Sequence, residues 1–312
     1  MPLDSARPGG DSTALPLRVA LFTGNYNHIA DGVSLTLNRL VAFLLRQGVE
    51  VLVFGPTVAD PPVEHAGDLV PIPSLPAPGR PEYRISVRFP QAAQDRLKRF
   101  DPHLVHIATP DYLGYRALRW AQQRDLPVVT SYHTHFASYL KYYGISALEG
   151  VLWEYLRWFY RQCEQVYVPS HAMAAVLRSH EITHGIRLWE RGVETDRFHP
   201  GHRDPAWRCA LGVEPDDVLV AFVGRLVWEK GLAVYADVIE ALRADGLPAR
   251  SVVVGDGPAR PDLEARLTGT VFTGHLSGAD LARAYASSDV FLFPSDTETF
   301  GNVTLEAMSS GL

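Results

Sequence analysis

Hydrophobic residues alternate along the chain between short apolar runs and longer amphipathic stretches. The first run, 17–23, predicts a strand, and the stretch 33–48 predicts a helix ending at Gly48. One face of that helix carries five apolar residues: Val33, Leu37, Leu40, Val41 and Leu44. Further strands are predicted over 49–55, 104–108, 127–132 and 165–170. Helices are predicted over 111–124, over a long aromatic stretch that ends at Cys163, and over 171–180. The proline-rich segment 56–81 is predicted to be an irregular loop.

The periodicity breaks over 186–216 and then restarts. Strands are predicted over 218–224, 250–257, 271–274 and 289–295, with helices over 231–245, 259–267, 278–287 and from about Gly301. Two strand–helix series predict an α/β protein with two facing Rossmann-like domains, whose ligands bind at the carboxyl ends of the strands in the crevice between them. We predict a disordered tail over 1–16, domains over 17–190 and 217–312, and a linker over 191–216. No strand follows the last helix, so we expect the second domain to be C-terminally incomplete.

Composition narrows the function classes. The 312 residues suit two domains of about 100–200 residues each. With 46% hydrophobic and 21% charged residues the chain is typical of a soluble globular protein. A net charge of −6 argues against a nucleic-acid partner. The opening residues lack the apolar core of a secretory signal, and no apolar stretch is long enough to span a membrane. The expected location is the cytoplasm, either free or at the inner face of the membrane.

Two cations follow the first strand of the second domain. Arg225 and Lys230 lie in the sequence GRLVWEKG, where they would project from a strand end toward a bound ligand. Two cations at that position suit a diphosphate. The alternative is a solvated loop in which Glu229 neutralises the charge locally.

Two carboxylates follow the last predicted strand. Glu298 precedes the final helix and Glu306 lies about one and a half turns into it. Such a pair could accept hydrogen bonds from sugar and ribose hydroxyls, with the N–H groups of Gly301, Asn302 and Val303 as donors. The alternative is that both carboxylates are solvated and that Glu306 only interacts favourably with the helix dipole.

Other motifs give weaker signals. Gly32 stands at the start of the first helix, where backbone N–H groups attract anions, although Asp31 and Gly32 could simply turn the chain. His133 and His135 in SYHTHF could form half of a metal site, but a hydrogen-bonding or packing histidine is the simpler interpretation. No Asp-x-Asp pair occurs, so we expect no metal. GDGPAR (255–260) fails the dinucleotide fingerprint because Arg260 replaces its third glycine.

The segment 139–162 is rich in aromatic residues, interleaved with Lys141, Arg157 and Arg161. Aromatic and basic side chains together are typical of a membrane interface. A helix packed into the first domain, with its aromatic residues in the core, would account for the same pattern.

Together these motifs resemble the GT-B-fold retaining glycosyltransferases of family 4, over residues 17–312. The resemblance rests on SYHTHF, VPS (168–170), LWERGVETDRFHP, GRLVWEKG, VVGDGP and ETFGNVTLEAMSSG, in which Glu298 and Glu306 have the family's E-x7-E spacing. Within the family, HTHF, YLRWF and RLWERGV resemble the branch of lipid mannosyltransferases and sulfoquinovosyltransferases.

The resemblance implies a role for each matching residue. Arg225, Lys230 and Gly32 would hold the donor diphosphate, and the two cations would stabilise the leaving group. Glu298 would bind the transferred sugar with the backbone of Phe300, Gly301 and Asn302, Glu306 would bind the ribose, and His133 would lie beside the sugar. The catalytic set is then Arg225, Lys230, Glu298 and His133. Family members need no metal, and the donor phosphate itself is thought to deprotonate the acceptor.

The sequence therefore predicts a retaining, metal-independent hexosyltransferase without a cofactor. Its donor would be a nucleoside-diphosphate sugar, with GDP-mannose favoured by the branch resemblance, and its acceptor a membrane lipid or glycolipid, with membrane contact through 139–162. The alternatives are a transferase for a soluble small-molecule acceptor and a non-catalytic fragment that binds nucleotide sugars.

Overall fold

The computed structural model describes residues 16–78, 80–133, 149–296 and 298–312, which form two compact units. The first unit contains the described residues up to His133, together with 153–168 and 174–188. The second contains 149–152, 169–173 and 189–312. The predicted tail 1–16 lies outside the described residues except for Pro16. No helix in the described ranges has the length and hydropathy needed to cross a bilayer.

The strands of the first unit are short. They are β1 (Arg18–Phe22), β2 (Glu50–Gly55), β3 (Asp68–Pro71), β4 (Ser74–Ala77), β5 (Arg80–Ser86), β6 (Leu104–Ile107), β7 (Val128–Ser131), β8 (Gln165–Val168) and β9 (Ile186–Leu188). Seven of them form a parallel sheet in the order β3-β2-β1-β6-β7-β8-β9. The chain moves from β1 to β2 and β3 on one side and resumes with β6 on the other. The strand order therefore reverses between β1 and β6, where such sheets bind ligands.

The prediction of an irregular loop over 56–81 is wrong. This segment contains β3 and β4 and the first residues of β5, and β4 pairs with β5 in an antiparallel hairpin outside the main sheet. Prolines at 71, 73, 76 and 78 hid these strands because proline cannot donate to a sheet ladder. Strands at an edge or in an isolated hairpin tolerate that loss.

The helices of the first unit flank the parallel sheet. They are α1 (Gly32–Arg46), α2 (Gln91–Phe100), α3 (Tyr112–Gln122), α4 (Glu149–Tyr160) and α5 (His171–Ser179), and the first residues of α4 and α5 belong to the second unit. Sequence periodicity predicted four of them and missed α2. On α1, Leu37 and Val41 of the predicted apolar face are fully buried. Beneath the helices Phe22 stacks on Phe54 at 4.6 Å.

The second unit is a smaller version of the same design. Its strands are β10 (Val218–Val223), β11 (Ala249–Val254), β12 (Val271–Gly274) and β13 (Val290–Phe291), and its helices are α6 (Pro205–Ala210), α7 (Leu232–Ala244), α8 (Arg260–Arg266), α9 (Gly278–Ser287) and α10 (Asn302–Ser309). The described strands form a parallel sheet in the order β12-β11-β10-β13. Alternate residues of β10 enter different core clusters: Leu219 packs with α9, and Phe222 packs with α7. Both sheet faces are covered, as continuous apolar runs predict.

The predicted linker contains an ordered element that its sequence did not reveal. The helix α6 lies within it and is only six residues long, too short to show an amphipathic period. The Arg208 side chain is 9% exposed, and its guanidinium donates to Asp289 Oδ2 at 2.7 Å. Burial alone would raise the pKa of Asp289, but the Leu219 N–H and the guanidinium groups of Arg203 and Arg208 outweigh it and lower that pKa. These contacts fix the segment to the second sheet.

Candidate active site

Two loops at the carboxyl edge of the second sheet lie against each other. β10 and β13 are neighbours, so the loops after them, 224–231 and 292–301, leave the sheet side by side. Gly231 has a φ of +74°, and a Cβ there would lie 2.2 Å from the Pro294 carbonyl oxygen. Only glycine allows such an approach. This contact holds together the loops that carry Arg225, Lys230 and Glu298.

The structure brings Lys230 and Glu298 together from two separate motifs. The Lys230 ammonium donates a hydrogen bond to Oε1 of Glu298, in an ion pair whose side chains are 18% and 29% exposed. Ser295 Oγ donates to the same oxygen at 3.5 Å. Within the described residues no hydrogen bond reaches Oε2 of Glu298. The pair therefore presents an ammonium suited to a phosphate beside a carboxylate oxygen suited to a hydroxyl.

Arg225 begins the loop after β10 and is half-buried. The next residue, Leu226, donates its N–H to the Asp256 carbonyl at 2.9 Å, which joins this loop to GDGPAR. A Cβ on Gly255, whose φ is +137°, would lie 1.9 Å from the Gly224 carbonyl oxygen. The glycine at 255 thus allows two backbone segments to pack closely.

The final helix, α10, begins without a side-chain cap. Gly301 precedes it with a φ of +85° and, in the described part of the chain, makes no side-chain cap bond to its first turn. This leaves the N–H groups of Asn302 and Val303 to solvent or a ligand. The neighbouring Phe300 ring lies 5.9 Å from the guanidinium carbon of Arg191. The local geometry is compatible with the backbone contacts predicted for Phe300, Gly301 and Asn302.

Glu306 has a partner that sequence reasoning missed. The Tyr285 hydroxyl, on α9, donates to Oε2 of Glu306 at 3.2 Å. Tyr285 is fully buried, and its pKa is raised well above the usual range by burial and by the neighbouring carboxylate. Because this phenol stays protonated, it donates its hydrogen bond to Glu306 and so holds the carboxylate in place. In the sequence Tyr285 was one aromatic residue of a predicted helix, without any signal of this contact.

The remaining predicted site residues belong to the first unit. His133 follows β7 and is 7% exposed. Gly32 is the first residue of α1, and Asp31 before it accepts the N–H groups of Val33 and Ser34 on Oδ1 at 3.0 and 2.8 Å. Those N–H groups, expected to attract an anion, are already occupied. A phosphate role at this helix start therefore rests on the backbone of Gly32 alone and stays a prediction.

The aromatic segment 139–162 is described only from Glu149 onward. On α4 the side chains of Trp153, Leu156, Phe159 and Tyr160 are buried, as the packing alternative predicted. The side chain of Trp158, on the same helix, is 40% exposed. Residues 139–148 lie outside the described part of the chain.

Comparison with solved structures defines the class of fold. A sucrose-phosphate synthase from Thermosynechococcus elongatus matches with a TM-score of 0.71 and 20% identity, over 95% of this chain and 79% of that one. Anabaena HepE in complex with UDP and glucose matches with a TM-score of 0.65 and 16% identity, over the same shares. The predicted α/β class with parallel sheets is confirmed, and the structural neighbours are GT-B glycosyltransferases.

The sequence comparisons identify the family. Residues 30–197 match the model for glycosyltransferase family 4, and residues 217–312 match that for glycosyl transferases group 1. The chain belongs to glycosyltransferase family 4, which confirms the resemblance stated from its motifs.

Similar curated proteins are glycosyltransferases that span more than this chain. A sulfoquinovosyl transferase of Arabidopsis thaliana is 34% identical over 97% of this chain and 60% of its own length. A GDP-mannose-dependent alpha-mannosyltransferase of Corynebacterium glutamicum is 33% identical over 95% of this chain and 71% of its own. An alpha-monoglucosyldiacylglycerol synthase of Streptococcus pneumoniae is 26% identical, over 95% and 70%.

Proposed function

We propose that this protein is a retaining hexosyltransferase that moves a sugar from a nucleoside-diphosphate donor to a hydroxyl of a membrane lipid or glycolipid. The observation that carries the proposal is the Lys230–Glu298 ion pair at neighbouring strand ends of the second sheet. GDP-mannose is the first donor to test, because the mannosyltransferase relatives are named for it.

The donor roles follow from charge. Lys230 and Arg225 stabilise the negative charge that develops on the diphosphate as the sugar departs, and preorganised cations at such a position contribute strongly to catalysis. Glu298 accepts a hydrogen bond from a sugar hydroxyl through Oε2, while Lys230 holds Oε1. Glu306 accepts hydrogen bonds from the ribose, oriented by Tyr285.

The proton of the acceptor hydroxyl goes to the departing phosphate, and the sugar is transferred with retention of configuration. His133 lies beside the sugar and orients it. The reaction needs no metal, since the cations of the chain neutralise the diphosphate. Activity should therefore persist when EDTA is added.

Membrane contact is the finer part of the proposal. The exposed ring of Trp158 and the exposed Arg161 belong to the segment 139–162, and such residues suit the headgroup region of a bilayer. Flotation with vesicles containing anionic lipid measures this contact. Absence of the protein from the floating fraction would favour the soluble-acceptor alternative.

The test combines a donor panel with an acceptor panel. Radiolabelled GDP-mannose or UDP-glucose is mixed with the protein and with vesicles containing diacylglycerol, a neutral glycolipid or phosphatidylinositol, and label in the lipid fraction is counted. We expect one donor to label lipid in the presence of EDTA, with retained anomeric configuration by NMR. Glu298→Gln should remove the transfer, whereas the control Glu240→Gln, at a residue of α7 that pairs with Arg266 of α8, should not. Donor binding without transfer to any acceptor would contradict the proposal.

A further inference from the structure

One carboxylate at the carboxyl edge of the first sheet has no part in the donor chemistry. Asp111 lies at the start of α3, just after β6, and faces the loop that follows β1. β1 and β6 are the strands between which the strand order reverses. The side chain therefore stands at the position where a parallel sheet of this kind binds a ligand.

A glycine keeps space open beside this carboxylate. A Cβ on Gly24, the second residue after β1, would lie 3.2 Å from Asp111 Oδ2 and 3.3 Å from Thr109 Oγ1. The Gly24 N–H donates to Thr109 Oγ1 at 2.8 Å, which fixes the two strand ends relative to each other. A side chain larger than hydrogen at 24 would crowd the oxygen.

Only one oxygen of Asp111 has a structural task. Oδ1 accepts the Gly114 N–H at 2.8 Å and caps α3. No hydrogen bond to Oδ2 occurs within residues 16–78, 80–133, 149–296 and 298–312. Asparagine would cap the helix about as well without a charge. A carboxylate with an open oxygen at a ligand edge is costly unless a bound group donates to it.

Aromatic residues lie near Asp111. Burial raises its pKa to about 6, and only backbone N–H groups oppose that rise. The charge of Asp111 in turn helps to raise the pKa of Tyr155, on α4, to about 12, after burial as the main cause. The rings of Tyr155 and Tyr115 each lie 5.9 Å from that of Trp158, and Tyr115 and Trp158 are partly exposed. Such rings offer an apolar surface beside a hydrogen-bond acceptor.

We propose that Asp111 binds a hydroxyl of the acceptor, and that it selects a neutral, hydroxyl-bearing headgroup over a phosphorylated one. This inference rests on the proposed transferase function. A carboxylate accepts a hydrogen bond from a hydroxyl but repels a phosphate, and no side-chain cation contributes to the pKa of Asp111 in the described part of the chain. Asp111 thereby becomes a specificity-determining residue on the first unit.

The test uses Asp111→Asn, which preserves the helix cap. Initial rates are measured with vesicles containing either diacylglycerol or phosphatidylinositol, and donor hydrolysis is measured without acceptor. We expect kcat/KM for diacylglycerol to fall about tenfold, with donor hydrolysis within twofold of wild type. The wild-type kcat/KM should rise with pH through about 6, since the carboxylate is the binding form, and the variant should lose this step. Asp204→Asn, at the aspartate that caps α6, is the matched control.

Other variants and outcomes separate the possibilities. Gly24→Ala should also weaken diacylglycerol use while leaving donor hydrolysis intact, because its methyl group crowds Oδ2. Unchanged diacylglycerol kinetics in Asp111→Asn would overturn the inference, as would an equal loss of donor hydrolysis. If wild type transfers to no acceptor, the proposed function fails, and NMR of 13C-labelled aspartate then tests Asp111 directly. A carboxyl resonance that titrates near pH 6 and moves when dioctanoylglycerol micelles are added supports the binding site, and an unmoved resonance refutes it.

Discussion

The carboxyl edges of the two parallel sheets carry different chemistry. At the second sheet, Lys230 and Glu298 form an ion pair with Arg225 in the same loop. At the first sheet, Asp111 and His133 lie in largely buried surroundings, and among the described residues no side-chain cation lowers the pKa of Asp111. A diphosphate needs fixed positive charge, whereas a neutral headgroup needs a few hydrogen bonds and an apolar surface. From this difference we propose that the donor binds to the second unit and the acceptor to the first.

The largest expected effect on activity concerns the ion pair at the carboxyl edge of the second sheet. Lys230→Ala removes a preorganised cation and leaves Glu298 without its partner, so kcat should fall by about 10²–10³. Steady-state kinetics with a saturating acceptor measures the fall. Lys98→Ala, at an exposed lysine of α2, should leave kcat unchanged. A fall in kcat of less than threefold for Lys230→Ala would show that Lys230 does not act in the donor site.

The next prediction concerns the backbone contact between Gly231 and Pro294, which supports the loops at that edge of the second sheet. Gly231→Ala forces a methyl group onto the Pro294 carbonyl at a positive φ, and should cost about 3 kcal/mol of unfolding free energy. Gly246→Ala shares the positive φ, at +69°, but has open space around its Cβ, so it should cost only about 1–2 kcal/mol. Urea denaturation of both variants isolates the backbone contact. Equal losses of unfolding free energy in the two variants would show that the contact between Gly231 and Pro294 does not stabilise the two loops.

Charge also stabilises the fold of the second unit. Asp289→Asn weakens the bonds to Arg203 and Arg208 and should cost about 2 kcal/mol near pH 7. Because the folded-state pKa of Asp289 is lowered, its contribution is present above the unfolded value near 4 and is lost as pH falls through the folded value. Thermal melts between pH 3 and 7 should therefore converge for wild type and variant at low pH. Asp237→Asn, at the exposed pair with Arg266, should change stability by less than about 0.5 kcal/mol.

The smallest effect concerns the orientation of Glu306. Tyr285→Phe removes one hydroxyl and should raise the donor KM about fivefold at nearly constant kcat. Tyr235→Phe is matched in burial, but its hydroxyl donates to the backbone carbonyls of Val220 and Val252 at 3.4 and 3.5 Å rather than to a carboxylate. An equal rise in KM for both variants would mean that Tyr285 acts through packing.

The two edges also differ in how far the sequence could predict them. The residues that we propose for the donor site lie in short motifs with fixed spacing, and adjacent parallel strands then bring Lys230 to Glu298. Tyr285 and Asp111 gave no such signal, because their partners come from helices and loops distant in the chain. The strands β3 and β4 were hidden by proline, and α6 by its length. Periodicity identifies elements with a covered face, whereas contacts across loops depend on the completed fold.

Calorimetric titration with GDP and with UDP tests the assignment of the donor to the second unit most directly. We predict that wild type binds one of the two nucleotides selectively, that Arg225→Ala abolishes this binding, and that Asp111→Asn and Lys98→Ala leave it unchanged. Binding that survives in Arg225→Ala, or that disappears in Asp111→Asn, would contradict the division of donor and acceptor between the two sheets.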